Sequence, residues 1–265
     1  MNLLLLDERD RIDSHCVTIT DIRAAHVLNV LRATPGQTIR IGRLDGPIGT
    51  GTVISAGEGR VTLRCEFEHA TPSRPPVDVL LALPRPKVMR RIWAQLAALG
   101  VGQIILTNAE RVERHYFDTH ILTEETYRPL LIEGLQQARD TRLPSVSIHR
   151  QFRILVEDHL DGLFGDGIRL AADPSGTASI DSTLNGHHNQ RVLLAIGPEG
   201  GWNTFELSLL TAHGFQLVGL GPRTLRTDTA CTALLAITHA AMAGQPARQR
   251  TLTSHERTRS GNRSA

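Results

Sequence analysis

Hydrophobic and polar positions alternate in the first part of the chain and run together in the rest. Up to about residue 72 the apolar stretches are short, and strands are expected at 3–6, 16–19, 38–42, 51–55 and 61–68. The clearest of them sets Val61, Leu63, Cys65 and Phe67 against Thr62, Arg64 and Glu66, a period of two. Pro35-Gly36, Asp45-Gly46-Pro47 and Gly57-Glu58-Gly59 punctuate these runs. One helix is expected at about 21–31, capped by Thr20 or Asp21. Many short strands with frequent turns suggest a small barrel.

Thr71-Pro72-Ser73-Arg74-Pro75-Pro76 has the composition of a linker. Beyond it the pattern changes. Residues 77–83 are apolar except Asp78, as expected of a parallel strand buried on both faces. A helix at 88–99 sets Val88, Ile92, Leu96 and Leu99 on one face and stops at Gly100. Further strands are expected at 104–106, 168–172, 192–196 and 217–220, with helices at 123–138, 203–213 and 227–243. Strands alternating with helices imply an α/β layer with a parallel sheet. The domains expected are thus 1–72 and 75–243. The stretch 244–265, polar and aperiodic, is expected to be a disordered tail.

Two loops carry the candidate chemistry. Gly197-Pro198-Glu199-Gly200-Gly201 follows the strand at 192–196, and Gly221-Pro222-Arg223-Thr224-Leu225-Arg226-Thr227-Asp228-Thr229 follows the one at 217–220. Each opens onto a helix, the arrangement by which α/β sheets build ligand sites. The glycines permit positive φ and close backbone approach. Asn203 with Glu206 forms a capping-box pattern, and Thr227 is the expected cap of the last helix. Glu199 is a carboxylate in an otherwise uncharged loop. It is open to two readings, a base or a brace for the loop. Neither loop is a P-loop or a dinucleotide fingerprint.

Ile196-Gly197-Pro198-Glu199-Gly200-Gly201-Trp202, then Gly214-Phe215, then the run from Leu220 to Ala230, resemble the bacterial small-subunit ribosomal RNA methyltransferase E family of the SPOUT superfamily. The resemblance implies S-adenosylmethionine-dependent methylation of uracil N3 in 16S rRNA. It implies a PUA-like RNA-binding β-barrel over 1–72, and over 75–243 a SPOUT domain with a C-terminal trefoil knot, a crossing that ordinary topology rules exclude. It also implies a homodimer through the C-terminal domain. The cofactor would be held by Leu194, Ile196, Gly197, Pro198, Gly200, Gly201, Leu220, Gly221, Leu225 and Thr229. Arg226, or Arg223 in second place, would stabilise the negative charge of the deprotonated uracil. The rival readings are a methyltransferase acting on another RNA base or a ribose 2′-OH, and a non-catalytic RNA-binding protein with a vestigial donor site. Intact Gly197, Glu199, Gly200 and Arg226 argue against decay.

The resemblance weakens on the substrate side. Gln95 and Ala98 stand where the family carries a lysine and a glutamate. Glu133-Gly134-Leu135-Gln136-Gln137 replaces a Glu-Ala-x-x-Gln stretch, and Asp140 stands at an arginine position, flanked by Arg139 and Arg142.

Charge changes the picture little. The net charge is +2, and the stretch from Gly244 to Ala265 holds five arginines and one glutamate, so the rest is slightly acidic. An RNA surface must therefore be local. Of 29 basic residues only Lys87 is a lysine, which reads as codon bias. The RNA-contact candidates are Arg9, Arg11, His26 and Arg32 in the first half, then Arg85, Lys87 and Arg90, and finally Arg223. His26-Val27-Leu28-Asn29-Val30-Leu31-Arg32 is similar to the family's N-terminal signature, although His26 also suits an ordinary half-buried helix position. Cys16, Cys65 and Cys231 lack metal or disulfide spacing, and His187-His188 sits in a polar turn, so no metal is expected. No apolar run is long enough to span a membrane, and a cytoplasmic enzyme is expected.

Overall fold

The computed structural model describes residues 2–10, 12–13, 15–187 and 189–243. Arg11, His188 and the tail expected at 244–265 lie outside the described residues.

The first half folds as β1 (Leu4–Leu6), β2 (Ile12–Asp13), β3 (Cys16–Ile19), α1 (Ile22–Asn29), β4 (Thr38–Arg43), β5 (Ile48–Gly57) and β6 (Arg60–Phe67). Its six strands pair in the order β1-β4-β5-β6-β3-β2, antiparallel except for β1 against β4. The alternation along β6 is realised, with Val61, Leu63 and Cys65 buried in a small core. Asp21, not Thr20, caps α1, accepting the Arg23 N–H at 2.8 Å.

The apolar run at the start of the chain does not alternate, and β1 shows why. Leu4 and Leu6 belong to the small core, while Leu3 and Leu5 belong to the large core of the second half. Both faces of the strand are covered, so every position is apolar. The N–H groups of Asn2 and Leu3 donate to the Gln136 carbonyl at 3.2 and 3.0 Å. Close by, Arg142 donates to the carbonyls of Pro72 and Asp45 at 2.5 and 3.1 Å. Thr141 donates to Gly46 O at 2.6 Å. Arg142, one of the two arginines flanking Asp140, thus ties the two halves together.

The second half runs β7 (Val77–Ala82), α2 (Pro86–Ala98), β8 (Val101–Thr107), α3 (Glu124–Ala138), β9 (Ser145–His149), α4 (Phe152–Ile154), α5 (Leu160–Phe164), β10 (Ile168–Ala172), α6 (Ile180–Leu184), β11 (Val192–Ile196), α7 (Thr204–Ala212), β12 (Phe215–Val218) and α8 (Thr227–Met242). All six strands are parallel, in the order β12-β10-β11-β7-β8-β9. The chain is therefore α/β, with one mixed and one parallel sheet. Central β7 and β11 are buried throughout, as runs apolar at every position but Asp78 require.

Several elements lie beyond the sequence expectations. β9 is an edge strand reading Ser-Val-Ser-Ile-His, with little apolar signal. α4 and α5 are joined by five residues wound as a π-helix, Leu155–His159. β12 begins and ends two residues before the stretch expected, because Gly219 bonds to Ala178 O at 3.1 Å and leaves the sheet. Gly134 lies against α2 so closely that a Cβ would collide with the Ala94 carbonyl. The glycine lets α3 pack tightly on α2.

Candidate active site

Parallel strands place their following loops along one edge of the sheet. The loops after β10, β11 and β12 meet there and, with the start of α8, enclose a cleft of about 110 Å³. Of the residues expected to hold a cofactor, Ile196, Gly197, Pro198, Gly201, Leu220, Gly221 and Leu225 line it. Leu194 is fully buried within the sheet, Thr229 is exposed on α8, and Gly200 does not line it. Asp173, Pro174, Thr224, Thr227, Ala230 and Leu234 also line the cleft, although none of them was expected to hold the cofactor. Asp173 and Pro174 come from the β10 loop, Thr224 from the β12 loop, and Thr227, Ala230 and Leu234 from α8.

The glycines divide by role. Gly201 has φ +74 and Gly221 φ +92, conformations that favour glycine. Gly197 and Gly200 do not need positive φ. A Cβ at Gly197 would press on the Trp202 indole at 3.1 Å, and one at Gly200 would meet Arg111 Cδ at 2.8 Å. The constraint at Gly200 is thus a side chain of this protein.

Thr227 is not the cap of α8. Arg226 takes the N-cap position with extended backbone and makes no side-chain capping bond. Thr227 is 3% exposed, and its Oγ1 has no hydrogen-bond partner among the described residues. A buried orphan hydroxyl in a cleft wall calls for a polar ligand atom. Arg226 stands outside the cleft lining. Its side chain is 72% exposed, lies 3.7 Å from Asp228, and is absent from the lining, where Arg223 stands instead. Glu199 lines the cleft, is exposed, and makes no hydrogen bond to its own loop among the described residues.

On the other side of the β11 loop the segment after β8 is clamped in place. Asn203 and Glu206 form the expected capping box, each bond 2.8 Å. The second carboxylate oxygen of Glu206 accepts the Glu110 N–H at 2.7 Å, and Arg111 donates to the Gly200 carbonyl. Glu206 is 3% exposed, so this carboxylate is committed entirely to loop geometry.

The basic candidates are scattered. Arg85, Lys87 and Arg90 are exposed at the start of α2, after β7 and hence on the same edge as the cleft. Their neighbour Arg91 pairs with Asp228 at 2.8 Å and joins α2 to α8. That guanidinium holds the Asp228 carboxyl below its ordinary range. In the first half Arg9 is paired with Asp7 at 2.7 Å, and Arg32 is exposed with φ +50. His26 is half-buried, with Nε2 unpartnered and its pKa pushed down by burial. Burial pushes the Cys65 and Cys231 thiols up to about 11 and about 12, and there is no disulfide among the described residues. No group of three or more metal-ligating side chains occurs among them either.

Residues 71–239 match the RNA methyltransferase domain family. The ribosomal RNA small subunit methyltransferase E of Treponema pallidum is 31% identical over 248 residues, 91% of this chain and 92% of the relative. The Bacillus subtilis protein of the same name is 26% identical over 80% and 85% of the two chains. In fold, the chain is similar to the Neisseria gonorrhoeae ribosomal RNA small subunit methyltransferase E solved with S-adenosyl methionine. The TM-score is 0.72 at 23% identity, over 91% of this chain and 97% of that one. A probable rRNA-methyltransferase from Porphyromonas gingivalis gives 0.71 at 21% identity, over 92% and 99%.

Proposed function

Because the chain belongs to the ribosomal RNA small subunit methyltransferase E family, we propose that it methylates N3 of a uracil in 16S rRNA with S-adenosylmethionine. The observation that carries this is the cleft where the β10, β11 and β12 loops meet, walled by a buried hydroxyl without a partner among the described residues.

The residues present suit that cofactor. Ile196, Leu220, Leu225 and Leu234 offer apolar surface to an adenine, and Thr227 Oγ1 and loop amides offer hydrogen bonds. When bound, the cofactor supplies an electrophilic methyl on a sulfonium. The protein's part is to position, to exclude water and to manage a proton. A neutral uracil N3 must lose its proton, and Glu199 stands at the cleft with its carboxylate unengaged by any described residue, as a base would. Arg223 lines the cleft and stabilises the charge that spreads to the uracil carbonyl oxygens, with Arg226 at the mouth. Arg85, Lys87 and Arg90 contact the RNA backbone on the same edge, and Arg9, His26 and Arg32 approach it from the first half.

On this reading residues 1–72 are the PUA-like barrel and 75–243 the SPOUT domain with its trefoil knot. The protein is a cytoplasmic homodimer that docks through α8, whose outward positions Thr232, Ala236, Ile237 and Ala240 are small or apolar. No helix among the described residues is long and apolar enough to cross a membrane.

Nucleoside mass spectrometry of small-subunit rRNA from a deletion strain tests the function. Loss of 3-methyluridine, restored by the gene, is expected. An unchanged 3-methyluridine content with loss of another methylated nucleoside would move the activity to a different base or to ribose.

A further inference from the structure

A second cavity, about 240 Å³, opens on the β8–β9 side of the donor loop, away from the cleft just described. Three segments distant in sequence converge on it: the loop after β8, the start of α4 and the start of α7. The side chains that face it form a recognisable set. Phe205 is 55% exposed at the rim, an aromatic face left to solvent in the first turn of α7. Phe152 lies buried in the wall and stacks on Trp202 with centroids 5.3 Å apart. Asn108 carries a buried Oδ1 with no hydrogen-bond partner among the described residues. Glu110 and Arg114 are exposed, and neither side chain has an ion-pair partner among the described residues.

We infer that this cavity binds a base of the substrate RNA other than the methylated uracil, one that carries an amino group. The inference rests on the methyltransferase reading above. An exposed aromatic face is the stacking platform that unpaired bases use. The acceptors Asn108 Oδ1 and the Glu110 carboxylate need N–H donors, which the edges of cytosine, adenine and guanine present. Glu206 does not compete for them, because both its oxygens are occupied by backbone N–H groups. Arg114 at the rim suits the phosphate attached to such a base. A carboxylate beside the platform disfavours a phosphate as the sole ligand. The cavity shares the start of α7 with the donor loop, so a base held there fixes the RNA strand beside the cleft.

The test uses the full chain and, as substrate, small ribosomal subunits from a strain lacking the gene. Phe205→Ala and Glu110→Ala should each raise KM for the subunits about tenfold, the scale of one lost base stack. The kcat at saturating subunits and the calorimetric affinity for S-adenosylmethionine should move less than twofold. Glu110 touches Glu206 only through its backbone N–H, and Phe205 is exposed, so both variants keep the clamp. An unchanged KM in Phe205→Ala would overturn the inference. So would a KM effect confined to Arg114→Gln with a reduced salt dependence, which would make the cavity a phosphate site. If the wild-type chain itself fails to methylate these subunits, the function reading falls, and this inference with it.

Discussion

The two cavities on the carboxyl edge are built in opposite ways. The donor cleft is made of loops that follow three adjoining strands, and it is shaped by backbone: a glycine at φ +74, another at φ +92, and a helix start. The β8–β9 cavity is made of side chains from segments some fifty residues apart, and it is shaped by what they carry. The first kind of site is rigid by conformation and tolerates little change in its loops. The second tolerates drift in the sequence around it, provided the facing side chains remain. Glu206 stands between them, capping α7 and holding the β8 loop.

The largest effect is expected where backbone conformation is the site. Gly201→Val places a β-branched residue at φ +74 in the cleft wall, where strain alone is on the order of 1–3 kcal/mol. Calorimetry should find S-adenosylmethionine affinity lowered at least about 100-fold, and unchanged affinity would remove this loop from the donor site. The next effect separates two arginines. Arg223→Gln should lower the single-turnover rate on the order of 10²-fold, as loss of one charge-stabilising donor does. Arg226→Gln, whose side chain is 72% exposed, should lower it only a few-fold. The reverse order would return the catalytic role to Arg226.

A smaller effect should reach both cavities at once. Glu206→Gln cannot accept from both the Glu110 and the Asn203 N–H, and one buried donor is left unsatisfied, at about 1–3 kcal/mol. Thermal unfolding should show the loss, and KM values for cofactor and RNA should rise together. A change in only one of them would mean that the cavities are independent. The smallest effect concerns the Arg91–Asp228 pair. The folded-state pKa of Asp228 is depressed, so its contribution is present above the ordinary carboxylate pKa and is lost as pH falls through the folded value. The arginine is half exposed, which keeps the contribution below about 1 kcal/mol. Denaturant midpoints of Asp228→Asn and the parent should differ at pH 7 and converge in acid.

The contrast also explains what could be read in advance. Strands at 168–172 and 192–196 coincide with β10 and β11: β11 is an unbroken apolar run buried throughout, and β10 departs from one only at Arg169. The glycine loops were legible because few residue types fit them. Edge strand β9, with serines at alternate positions, left no such trace, and neither did the π-helical turn before α5. Which of Arg223 and Arg226 lines the cleft was not legible, because the two stand three residues apart in the same loop before α8. Arg111 and Glu206 bind partners 89 and 96 residues away, and no local pattern announces such contacts.

The four leucines at the start of the chain have a mechanical consequence. Since Leu3 and Leu5 are rooted in one core and Leu4 and Leu6 in the other, a single short strand serves as a rivet through both bodies. The bodies cannot swing about their linker without extracting leucines from one core or the other. The molecule therefore behaves as a fixed-jaw gauge. An RNA that touched both bodies would meet two surfaces whose spacing is set by this one strand.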